Sequence, residues 1–143
     1  MNMKKWIIAL IIGMMLIGVA LGILYKYRSI WNNGTIKAIG IEVYQDANAT
    51  IPLTNIEWGY LDPGENKSVT IYVKNEGSMD VTLSKYEDAW EPIEAGKYVS
   101  LTWDYDGYTL EPSGVYSVVI TLNVDEAVED VTSFTFSVTI VGS

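Results

Sequence analysis

The sequence predicts an all-β sandwich of about seven short strands behind one N-terminal transmembrane helix. Three observations predict it. An uncharged apolar run, Trp6 to Tyr25, lies between Lys4-Lys5 and Lys26-Tyr27-Arg28. Beyond Gly34 the apolar residues recur at every second position instead of continuously. Pro and Gly turn signals separate these alternating runs at short intervals.

The apolar run comes first. A helix rising about 1.5 Å per residue crosses roughly 30 Å over this stretch, the thickness of a bilayer's hydrocarbon core. Trp6 at one end and Tyr25, Tyr27 and Trp31 at the other suit the headgroup region. The same residues also read as a secretory signal, with Ala20-Leu21-Gly22 as a cleavage site that would release a subunit beginning at Ile23. The run continues through Ile23, Leu24 and Tyr25, which favours an uncleaved anchor. Ala9/Gly13 and Gly18/Gly22 are spaced for close helix approach, although glycine is common in membrane helices for other reasons. The expected organisation is an anchor over 1–25, a stem over 26–34 and a sandwich over 35–143.

The first strand is expected over Thr35 to Tyr44, with Ile39, Ile41 and Val43 on one face, followed by a loop rich in Ala, Asn and Thr from Gln45 to Thr54. Ile56-x-Trp58 gives a second strand. Asp62-Pro63-Gly64-Glu65 has the residues of a type II turn and launches Val69, Ile71 and Val73. Asn75-Glu76-Gly77-Ser78 closes that strand, and Val81-x-Leu83 begins another. Ser84 to Gly96, with Trp90 and Pro92, reads as an irregular crossover with one helical turn. Val99, Leu101 and Trp103 then alternate, Asp106-Gly107 signals a two-residue hairpin, and Glu111-Pro112-Ser113-Gly114 fits a type I turn. Tyr116 to Val124 and Phe134 to Ile140 are the cleanest strands.

Composition excludes several functions. Every Asp and Glu lies at or beyond Glu42, so the distal domain is acidic and repels phosphate backbones; nucleic-acid binding is not expected. There is no Cys and no His, which removes thiolate nucleophiles, imidazole bases and the usual zinc and haem ligands. No nucleophile motif remains, so neither an enzyme nor a cofactor is expected. Asp104, Asp106 and Glu111 could offer oxygen ligands to Ca2+, as could Asp125, Glu126, Glu129 and Asp130; the bland reading is solvated turn acids. Tyr60, Tyr72, Tyr98, Tyr105 and Tyr108, with Trp90 and Trp103, could form a platform for sugar or protein, against ordinary cross-strand packing. Asn33-Gly34-Thr35, Asn48-Ala49-Thr50 and Asn66-Lys67-Ser68 are glycan acceptor triplets and favour an exterior location.

The stretch from Gly34 to Leu83 resembles the opening of TasA/camelysin-like surface-fibre subunits and of similar archaeal surface proteins. The shared elements are the hydrophobic N-terminus, a strand after Gly34-Thr35, and Leu61-Asp62-Pro63-Gly64-Glu65 leading into Val69 to Gly77. The resemblance implies an immunoglobulin-like or jelly-roll subunit that polymerises by offering its N-terminal strand to a neighbour. The expected function is a non-enzymatic structural or adhesion module at the cell surface. It is held in the bilayer by Trp6 to Tyr25 and self-associates through Thr35 to Tyr44. The alternative is a carbohydrate- or Ca2+-binding module tethered to a larger surface assembly.

Overall fold

The computed structural model describes residues 30–143; the predicted membrane run and residues 26–29 lie outside them. Among the described residues no helix is long and apolar enough to cross a membrane. Alternation builds eight strands: β1 (Ile30–Ile39), β2 (Glu42–Tyr44), β3 (Asn55–Leu61), β4 (Asn66–Lys74), β5 (Leu83–Glu91), β6 (Val99–Trp103), β7 (Val115–Val124) and β8 (Ser133–Gly142). They form two four-stranded sheets, ordered β3-β1-β8-β5 and β2-β4-β7-β6. The inward residues of both sheets fill the space between them, with Trp58, Leu61, Ile71, Ile120, Phe134 and Ile140 almost wholly buried. Each such side chain contributes about 1.5–3 kcal/mol of burial, which is what makes the period of two decisive.

Neighbouring strands are antiparallel with one exception: β1 runs parallel to β8, Trp31 to Ile39 lying against Ser133 to Val141. The turn after β3 is type II as expected, with the Glu65 N–H donating to the Asp62 carbonyl at 3.0 Å and Gly64 at φ 80°. The Glu111 to Gly114 turn also closes, Gly114 N–H to the Glu111 carbonyl at 3.1 Å. Ser113 there has φ 63°, so the turn is of the type II kind and not type I.

Four expectations are corrected. The first strand begins at Ile30, so Ile30 to Gly34 belong to a sheet, and it does not run unbroken to Tyr44. At Gly40, φ 74°, the chain leaves one sheet and enters the other as β2. The inward parity changes with it: Ile36 and Ile41 are buried while Ile39 is 54% exposed. The crossover from Ser84 is mostly strand β5, and only Ile93–Lys97 is helical, as a 3-10 turn. Asp106-Gly107 is no two-residue hairpin, because β6 ends at Trp103 and β7 starts at Val115, and the long loop between is tied down by pairing of Leu110 with Val81. Among the described residues eight strands therefore stand where about seven were expected.

Candidate interaction site

Strand β1 lies inside its sheet, between β3 and β8, yet its inward face is thin. Between Asn32 and Ile39 the buried inward positions are Asn32, Gly34 and Ile36, so Ile36 is the one large apolar side chain offered to the core. Gly34 is small for a reason: a Cβ there would come within 3.1 Å of the Trp58 Nε1 and of the Phe136 ring. Phe136 is backed in turn by Trp90, the two rings stacked at 4.5 Å. The outward face carries Asn33, Thr35 and Lys37.

The hinge at the end of β1 is tightly specified. A Cβ on Gly40 would lie 2.6 Å from the Gly142 carbonyl oxygen, and one on Gly142 would lie 2.5 Å from the Ile41 Cγ2, so neither position accepts a side chain without a shift. Beyond it Ile41 and Val43 are buried and fasten β2. The following loop, rich in Ala, Asn and Thr, is tied down by its own hydrogen bonds. Asp46 accepts the Thr50 hydroxyl at 2.7 Å and the Thr50 and Ile51 N–H groups at 3.0 and 2.8 Å. The Thr50 hydroxyl, then the Ile51 N–H, hold the Asp46 carboxyl below its ordinary range. The change of direction at the end of β1 thus falls at Gly40 and not in Gln45 to Thr54.

The sheet edges are closed to strand addition by several devices. On β3 the Lys67 ammonium donates to the Trp58 carbonyl at 2.8 Å, and a bulge marked by Gly59, φ 70°, breaks the ladder. On β5 the inward positions carry Lys85 and Glu87, paired at 2.6 Å, and Lys85 also donates across the open side to the Leu101 carbonyl of β6. The β5 ladder then shifts register between Asp88 and Glu91, Ala89 at φ 53° turning Trp90 onto Phe136. Of the other sheet's two edges, β6 gives its Leu101 carbonyl to Lys85 and β2 has only three residues.

The remaining candidates are accounted for locally. Asp104 accepts the Val119 N–H at 2.8 Å, and Asp125 accepts the Ala127 N–H at 2.8 Å. Asp106 and Glu111 are exposed, and among the described residues no group of three or more carboxylates converges to hold a metal. Part of the aromatic set forms a tilted chain and not a flat stack. Trp103, Tyr105, Tyr108 and Tyr116 pack one against the next at 5.2, 4.7 and 5.8 Å, all tilted or edge-on. The Tyr105 hydroxyl accepts the Leu83 N–H at 2.9 Å and donates to the Tyr108 carbonyl, while the Tyr116 hydroxyl accepts the Glu111 N–H at 3.0 Å. Partial burial, then the Asp104 carboxylate, raises the Tyr108 phenol above its ordinary value. Tyr60 stands exposed on β3, and Tyr72 and Tyr98 are half-buried. Of the glycan candidates, Asn48 is exposed in a loop, Asn66 is exposed at the start of β4, and Asn33 is half-buried on the outer face of β1. Sequence reasoning missed Gly40, Gly142 and Lys85; the only signal was a glycine interrupting the Ile39-Ile41-Val43 alternation.

No protein-family model matches the chain, and no curated protein matches it. Among solved structures, the ASH / PapD-like domain of human CEP192 (PapD-like domain 7) is similar to it at 13% identity and a TM-score of 0.41, over 73% of this chain and 84% of that one. The two-sheet sandwich rests on the strand order and register given above. The TasA/camelysin resemblance stays with the residues quoted for it.

Proposed function

We propose that this chain is a non-enzymatic structural or adhesion module of the cell surface, held in the bilayer by Trp6 to Tyr25 with its β-sandwich outside, and that copies associate by exchanging β1. The observation that carries the reading is the setting of β1. It is interior to its sheet, offers one large apolar side chain to the core between Asn32 and Ile39, follows directly on the N-terminal segment and is separated from the body by the hinge at Gly40. A second copy's β1 would restore every contact of the first, so exchange conserves the interactions within the sheet. The guarded edges favour this route over side-by-side addition of strands.

The absence of cysteine gives a clean test. Thr35 on β1 and Asn55 on β3 are register partners and both are exposed. Thr35→Cys in one full-length copy and Asn55→Cys in another, co-expressed and oxidised in the membrane, should yield a disulfide-linked dimer absent from either variant alone. The double variant should instead report pairing within one copy. A mixed population giving no crosslinked dimer, while the double variant closes its internal disulfide completely, refutes exchange.

A further inference from the structure

We infer that Asn33–Gly34 is a self-modifying dipeptide kept silent by the pairing of β1, and that it deamidates when this strand leaves the sheet. It is the one Asn-Gly pair in the sequence. In an unrestrained chain the Gly34 amide nitrogen attacks the Asn33 side-chain carbonyl carbon. The new C–N bond closes a succinimide, the Cγ–Nδ2 bond breaks and ammonia leaves. Water then opens the ring at either carbonyl, leaving aspartate or isoaspartate at position 33, with no oxidant or reductant involved.

The sheet opposes this attack in three ways. Asn33 and Gly34 are paired on both sides, with Glu57 and Ile56 of β3 and with Thr135 and Phe136 of β8. The extended backbone holds the Gly34 nitrogen away from the Asn33 side chain, which lies on the outer face while Gly34 is buried. Trp58 and Phe136 pack closely over Gly34, where even an added Cβ would meet them at 3.1 Å. Release of β1 removes all three restraints together.

The product would not fit back equally well. Position 33 lies directly opposite Glu57 on the same sheet face, so a new carboxylate sets like charges across β1 and β3. The isoaspartate form also lengthens the main chain by one carbon and throws the ladder beyond it out of register. A strand left unpaired is thereby marked, irreversibly, as less able to pair. A strand that joins another copy is paired again and protected, and the contrast between paired and unpaired β1 exists in a single copy as well, so the inference stands apart from the exchange proposed above.

The test is peptide mass spectrometry of the full chain in detergent at mildly alkaline pH, resolving intact Asn33 from its aspartate and isoaspartate products. Deamidation at Asn33 in the folded protein should be at least about tenfold slower than in the denatured chain. Ile36→Ala, which removes the one large inward side chain between Asn32 and Ile39, should speed it several-fold. Asp106–Gly107 lies in an exposed loop and serves as an internal control whose isomerisation should be the same in both proteins. Should Ile36→Ala fail to fold, wild type in graded urea replaces it, with the Asn33 rate rising before the global transition. Equal rates in folded and denatured wild type, or a rate that follows only global unfolding, would overturn the inference.

Discussion

Replacing Lys85 by methionine tests how the open side of the sandwich is closed. Lys85 lies on edge strand β5 but points inward, where its ammonium meets Glu87 at 2.6 Å, the Leu101 carbonyl of the other sheet and, at 5.8 Å, the Trp103 ring. Methionine keeps the aliphatic stem and removes the charge, leaving a carboxylate and a carbonyl without their donor. Breaking a fully buried pair costs about 3–5 kcal/mol and an exposed one about 0–1 kcal/mol. The two side chains here are 15% and 26% exposed, nearer the buried limit, so the expected loss for Lys85→Met is about 2–3 kcal/mol. Glu87→Leu added to it should recover at least about half of that loss, because an apolar pair needs no partner. Urea unfolding measures both, with the denaturant slope unchanged. The reasoning fails if Lys85→Met lies within about 0.5 kcal/mol of wild type, or if the double variant is no better than the single.

Tyr105→Phe removes the hydroxyl that joins the Leu83 N–H to the Tyr108 carbonyl. It should cost about 1–2 kcal/mol and speed amide hydrogen exchange at Leu83, the second effect separating a lost hydrogen bond from general loosening. For Asp46 the sign follows from its depressed pKa. Its contribution is present above the ordinary carboxylate range and is lost as pH falls through the folded value. The stability gap between wild type and Asp46→Asn should therefore narrow on acidification, and a gap constant with pH would contradict the Asp46 hydrogen bonds.

The strands that showed themselves in the sequence are those whose two faces differ in polarity. Phe134, Phe136, Val138 and Ile140 alternate with hydroxyl residues, and all four are buried in β8. β5 hid because its inward positions after Leu83 are Lys85 and Glu87, whose pairing depends on Leu101, distant in the chain. The start of β1 hid for a similar reason, since its inward residues include Asn32 and Gly34, which carry no hydrophobic signal. The passage between sheets at Gly40 was masked by isoleucines that continue the two-residue period across the kink. In the candidate site, a turn acid such as Asp104 looks the same in sequence whether it binds a cation or a backbone N–H; only the position of Val119 decides it.

The parallel seam between the first and last strands has a mechanical consequence. Both strands start at one end of the body, so Ile30 and Gly142 emerge at opposite poles. A pull between those poles loads the seam in shear, and its rungs must give way together instead of opening one at a time like a zipper. Tension along this axis meets the molecule where it is hardest to tear.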